Sequence, residues 1–166
     1  MVELREYVRE SNAIEDVHEE SAIDETVDAW ECLTGEDELT HEVVKTVHRH
    51  ILKNRQPRIA GEYRDVQVYV GDRRPPPPVV VESEMEKLLS WEPVDPLAAI
   101  EWHVAFERIH PFADGNGRTG RLLYLWHCER KLGVEPIVWR AEDRFGYYEL
   151  FQSSVDLDER IGGDRP

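Results

Sequence analysis

A chain of 166 residues that is 40% apolar and 33% charged, with five Trp, six Tyr and four Phe, has material for one sizeable core, which excludes a disordered polyelectrolyte. Asp and Glu outnumber Lys and Arg by 35 to 20, and the net charge of −15 opposes nucleic acid and anionic membranes as partners. No apolar run approaches the ~18 to 20 residues of a spanning helix, and MVELREYVRE carries neither part of a secretory leader, so the cytoplasm is the expected compartment.

The acidity is uneven. Residues 1–42 hold fifteen carboxylates against Arg5 and Arg9. Only four of the basic residues are Lys, a balance that keeps a surface soluble at high salt and suits a salt-adapted source. One domain is expected over 1–160, with a frayed tail at 161–166. Cys32 and Cys128 match no metal or redox spacing and read as buried thiols. No feature specifies an oligomeric state.

Ile14, Val17, Ala22, Ile23, Val27, Trp30 and Leu33 recur at three and four, which predicts an amphipathic helix over 12–33. Thr40 is placed to cap a second helix carrying Val43, Val44, Val47 and Ile51. From Gly61 to Gly71 the period changes to two, which predicts a short strand or hairpin arm. Pro75 to Pro78 then read as an extended connector before a short helix at 81–89. Asp95 followed by Pro96 opens a helix apolar over most of its circumference, as a central core helix must be. Another begins near Arg118, runs through Leu122 to Trp126, and ends at Lys131–Gly133. A last helix is predicted over 143–155, with Phe145, Tyr148, Leu150 and Phe151 on it.

The chemistry concentrates in HPFADGNGRTGR, residues 110–121, between the two central helices. Its glycines fit GxGxxG, but a dinucleotide loop follows a strand and this one follows a helix; no Walker loop is present either. Small residues ahead of a helix N-terminus leave backbone N–H groups free for an anion. Arg118 and Arg121, one turn apart where the dipole disfavours cations, ask for a polyanion there. Asp114 is the loop carboxylate placed to hold Mg²⁺, Asn116 can donate to a phosphate oxygen, and His110 suits a general base at neutral pH. Phe112 is expected to point into the core, and His41, His48, His50, His103 and His127 are read as structural.

This run resembles the signature loop of the Fic family, HPFx[D/E]GNGRxxR, at every fixed position. The likeness extends to the preceding helix, to GEYRDVQVYVG, which is similar to the family's target-docking flap, and loosely to the last aromatic helix. The resemblance implies an all-helical fold with a small β-hairpin. It implies transfer of AMP from ATP to a Ser, Thr or Tyr hydroxyl of a target protein. By position, His110 is then the base and Asp114 the Mg²⁺ ligand. Asn116 and the Gly115–Gly117 backbone cradle the α-phosphate, and Arg118 and Arg121 hold the β- and γ-phosphates. The core helix–loop–helix spans 96–132.

Upstream, SNAIED resembles the family's inhibitory motif [S/T]xxxE[G/N], with Asp16 where Gly or Asn is usual. The resemblance implies that the region 1–35 holds the enzyme in check, Glu15 pairing with Arg121 while Ser11 steadies the pair. In the flap at 61–71, strand pairing would hold the target, with Tyr63, Arg64, Val66, Val68 and Tyr69 as contacts. Tyr147 and Tyr148 are candidates to border the base. Two alternatives stay open: removal of AMP by the same site, with Glu15 positioning water, and a catalytically silent nucleotide-binding or interaction module.

Overall fold

The computed structural model describes residues 2–152. Helix α1, Leu4–Ile14, opens at Glu3, whose carboxylate accepts from the N–H groups of Arg5 and Glu6. Tyr7, Val8, Ser11 and Ile14, three and four apart, are buried on one face. Here the structure corrects the continuous helix expected over 12–33. Asp16 takes the left-handed conformation at φ 54°. The Val17 N–H bonds Asn12 O and the Asp16 N–H bonds Ala13 O, the Schellman pattern that terminates a helix. Helix α2, Glu20–Thr34, begins afresh. Apolar spacing hid the break because both helices keep the same period, and Asp is a less obvious left-handed residue than Gly.

Helix α3, His41–Leu52, starts where Thr40 Oγ1 accepts from Val43 N at 3.2 Å, and packs along α2. The stretch expected as a strand over 61–71 is not one. Among the described residues there is only an isolated bridge, Val70 to Arg73, each N–H bonding the other's carbonyl at 3.0 Å. The physical reason is Arg64, whose buried guanidinium donates to the carbonyls of Val66, Pro76, Ile109 and His110. A side chain has taken acceptors that a neighbouring strand would otherwise use. Pro78 is the first residue of α4, Pro78–Leu89, so the extended prolines end at Pro77.

Helix α5, Pro96–Ile109, is capped by Asp95, whose Oδ1 accepts from Ala98 N at 2.8 Å. Helix α6, Asn116–Trp126, starts two residues earlier than its sequence suggests, and every residue in it except Gly117 is buried. It continues as a π-helical turn, His127–Leu132, closed by Gly133 at φ 63°. After a short 3₁₀ turn at Ala141–Asp143 comes α7, Arg144–Gln152. Its buried aromatic is Tyr147, whereas Phe145 is 75% exposed. The predicted helix end at 153–155 and the tail at 161–166 lie outside the described residues.

Trp102 and Phe106 of α5, Leu122, Leu123, Leu125 and Trp126 of α6 and Val44, Val47, Ile51 and Leu52 of α3 form the core, each such burial contributing roughly 1.5 to 3 kcal/mol. Cys128 is buried, but Cys32 is exposed, contrary to expectation, 3.6 Å from the His50 ring. Among the described residues no helix is long and apolar enough to cross a membrane.

Candidate active site

The loop between α5 and α6 is held from below. Phe112 is fully buried and stacks on His48, with ring centroids 3.7 Å apart and planes 3° from parallel. Gly61 N–H donates to His48 Nδ1 at 2.9 Å, so His48 carries its proton on Nε2, which donates to Asp114 O at 2.9 Å. Burial and nearby cations lower His48 to about 4, which keeps that arrangement neutral. The Asn116 amide accepts from Phe112 N and donates to Phe112 O, both at 2.9 Å. In this state Asn116 therefore staples the loop. Gly115, at φ 75°, makes the turn into α6 where a Cβ would press on Leu52 and His48.

His110 ends α5 in the left-handed conformation, φ 51°, which turns its ring out of the helix and over the loop. Its Nδ1 lies 3.3 Å from Glu107 O, a carbonyl that can only accept, so the proton belongs on Nδ1 and the Nε2 lone pair is free. Burial first, then Arg73, lowers the imidazole to about 4, so it is neutral at physiological pH. Asp114 is exposed; its Oδ1 accepts from Gly115 N at 2.6 Å and its Oδ2 from the Gln56 amide.

The two arginines differ sharply. Arg121 is 1% exposed and bonded through all three nitrogens: Nε donates to Ser11 Oγ at 2.8 Å, Nη1 to Tyr147 OH at 2.9 Å, and Nη2 to Ser11 O at 2.8 Å and Glu15 Oε1 at 2.9 Å. Burial opposes its charge, but Tyr147, Glu15 and Glu107 outweigh that and raise its pKa. Arg118 is 4% exposed and its Nε has no partner. Glu15 is the C-cap of α1, beside Ser11, and a Cβ on Gly117 would overlap its Oε1. A carboxylate thus lies against the first turn of α6, where the N–H groups of a helix are unpaired and an anion is favoured. Asp16, bonded to Arg144 at 3.0 Å, turns the chain at that point, which explains why Gly or Asn suits the position.

A cavity of about 830 Å³ opens over this arrangement, lined among others by Glu15, His110, Gly117, Tyr147 and Tyr148. Residues 69–73 form its far rim. Of the flap residues named from sequence, Tyr69 and Val66 are exposed and Val68 is half-buried. Tyr63 turns inward against Phe112 and bonds His41 Nδ1 at 2.9 Å, and Arg64 is buried. Sequence reasoning missed Gln56, Arg73 and Glu107. The first two come from loops with no local signal. Glu107 had one: a carboxylate one turn before His110 on a largely apolar helix.

Comparison with known proteins is decisive for the family: residues 38–128 match the model of the Fic/DOC family. The chain belongs to that family. It is 37% identical over 132 residues to the protein adenylyltransferase Fic of Nematostella vectensis, an alignment covering 75% of this chain and 30% of that protein. It is 37% identical over 120 residues to protein adenylyltransferase fic-1 of Caenorhabditis elegans, covering 68% of this chain and 23% of that one. The chain thus spans less than a third of these relatives. Among solved structures, a Fic-domain-containing signaling protein from Bacteroides thetaiotaomicron superposes with a TM-score of 0.77 at 24% identity, over 92% of this chain and 72% of its own. A segment of C. elegans Fic-1 gives 0.74 at 25% identity, over 96% and 56%. The all-helical Fic fold is therefore shared.

Proposed function

We propose that this Fic protein transfers AMP from ATP to a hydroxyl of a target protein and is restrained by Glu15. The observation that carries the reading is the pairing, across one helix N-terminus, of a buried Arg118 whose Nε has no partner with a foreign carboxylate lodged against Gly117. A buried guanidinium N–H without a partner is costly, and a triphosphate bound there would supply its acceptor. Glu15 then occupies, on Arg121, ground that a terminal phosphate needs.

His110, neutral and with Nε2 free, takes the proton from the attacking hydroxyl as its oxygen bonds to the α-phosphorus. Asn116 and the backbone at the start of α6 hold the α-phosphate, Arg118 and Arg121 the phosphates that leave as pyrophosphate. The residues present fit Mg²⁺ in one respect: Asp114 is an exposed carboxylate at the loop edge, and Mg²⁺ typically takes one or two carboxylates with phosphates and water completing its shell. Mg²⁺ at Asp114 would neutralise charge on the leaving phosphates. Tyr69 and Val66, exposed at and beside the far rim of the cavity, are offered to the target. The sequence homology to named adenylyltransferases supports the same assignment.

The test is mass spectrometry of lysate proteins after incubation with ATP and Mg²⁺. Glu15→Gly should yield peptides heavier by one adenylyl group, and Glu15→Gly with His110→Ala should not. Adenylyl groups lost from modified proteins on addition of the wild type, with none gained, would assign removal instead.

A further inference from the structure

Glu107 is a carboxyl without a structural reason. It sits on α5 one turn before His110, 6% exposed, on a helix whose other buried residues include Trp102, Val104, Phe106 and Ile109. A buried carboxyl normally has each oxygen bonded. Here Oε1 has no partner, and Oε2 lies 3.8 Å from His110 Nδ1. Arg73 passes it by, donating instead to the main-chain carbonyls of Glu107 at 3.0 Å and Arg108 at 2.9 Å. Gly120 of α6 leaves room for it, since a Cβ there would come within 2.8 Å of Oε1. The carboxyl lines the same cavity as His110 and Gly117.

Around the imidazole it faces, burial and cations outweigh the favourable Glu107 carbonyl and Glu15 carboxylate. Arg73 and Arg64 both act against a charged His110, as does burial. A base so placed accepts a proton only if something offsets the imidazolium that results. We propose that Glu107 is a positioning residue for His110: its main-chain carbonyl holds the proton on Nδ1, and its carboxylate, 3.8 Å behind that nitrogen, offsets the charge formed when Nε2 takes the target's hydroxyl proton. The inference rests on the adenylyl-transfer reading. In the step, the hydroxyl oxygen bonds to the α-phosphorus, the bond to the bridging oxygen breaks, pyrophosphate leaves, and the proton ends on Nε2. Glu107 forms no bond and keeps its own charge. The carboxylate acts by charge, without the hydrogen bond to Nδ1–H that the carboxylate of a serine-protease triad makes.

Five groups set the charge of Glu107: Arg121 from α6, Arg73 from the 69–73 rim, Glu15 from the end of α1, Tyr147 from α7, and His110 on its own helix. His103, one turn earlier, is held neutral at about 3 by burial and Arg121. Burial raises Glu107 to about 7, Arg121 lowers it, and Glu15 raises it further. Departure of Glu15 therefore favours the ionised form at neutral pH in the protein without nucleotide.

Two measurements on the full chain test this. In the first, nitrogen NMR of the His110 ring is followed from pH 5.5 to 8.5, assigned with His110→Ala. The wild-type ring signals should shift with a midpoint near neutrality as Glu107 ionises, and Glu107→Gln should abolish that shift; an identical titration in both overturns the proposal. In the second, on the Glu15→Gly background, Glu107→Gln should lower kcat about 10- to 100-fold, leave KM for ATP within twofold, and remove the fall in rate at low pH. A parallel rise in KM with an unchanged pH profile indicates a merely structural residue and overturns it. Glu107→Leu, which suits the apolar helix, carries the same expectations should the glutamine variant misfold. If Glu15→Gly transfers no AMP while the ring shift is Glu107-dependent, the transfer reading falls and the contact with His110 stands.

Discussion

Glu15→Gly should make the free protein less stable and its ATP complex tighter. Breaking a fully buried ion pair by removing one partner costs ~3 to 5 kcal/mol. Arg121 is 1% exposed but Glu15 is 33% exposed, and Arg121 keeps its bonds to Ser11 Oγ, Ser11 O and Tyr147 OH. Solvent and these bonds reduce the loss to about 1 to 2 kcal/mol. For a chain of this size that is a fall of about 2 to 8 °C in Tm. The same free energy no longer opposes a phosphate at Gly117 and Arg121, so ATP with Mg²⁺ should bind about 5- to 30-fold more tightly. Thermal melting with and without nucleotide, beside calorimetry, reads both effects. A variant that melts lower but binds ATP within twofold of wild type would refute the view that Glu15 and a phosphate compete for one place.

Four further outcomes are expected. His110→Ala on the Glu15→Gly background should lower AMP transfer by ~10² to 10⁴ while leaving ATP affinity within twofold, by filter assay and calorimetry; loss of binding would remove the base role. Gly117→Ala should lower Tm more in the wild type than in Glu15→Gly, because the added methyl overlaps the Glu15 carboxylate; equal shifts would place Glu15 elsewhere in solution. His48, about 4 in the fold against 6.5 unfolded, binds its proton less readily when folded, so the roughly 3 kcal/mol linked to it is present above pH 6.5 and lost as pH falls toward 4. His48→Gln should flatten the decline of Tm over that window, and an unchanged slope would contradict its neutral bridging role. Asp114→Asn should weaken the dependence of ATP binding on Mg²⁺ with little change in Tm; an unaltered Mg²⁺ titration would exclude it as the ligand.

The parts legible in the sequence were those with local causes. Thr40 and Asp95 cap because their side chains reach the third residue on, whatever the fold around them. The 110–121 loop is legible because its residue types have few other uses together. What escaped was decided by tertiary partners. Alternation over 61–71 reads as a strand until Arg64 is seen to consume the acceptors, and residues 12–33 read as one helix because Asp16 stands in for Gly. Arg73 reaches the site from a distant position, and only the packing of the 69–73 rim against α5 brings it to His110.

The most direct measurement uses Glu15→Gly protein and two samples of ATP, one labelled in the α-phosphate and one in the γ-phosphate, with a lysate as acceptor. Label retained on protein from the α-position, absent from the γ-position and abolished by His110→Ala is the predicted result. Label retained from the γ-position, or none from either while ATP binds, would contradict adenylyl transfer at this site.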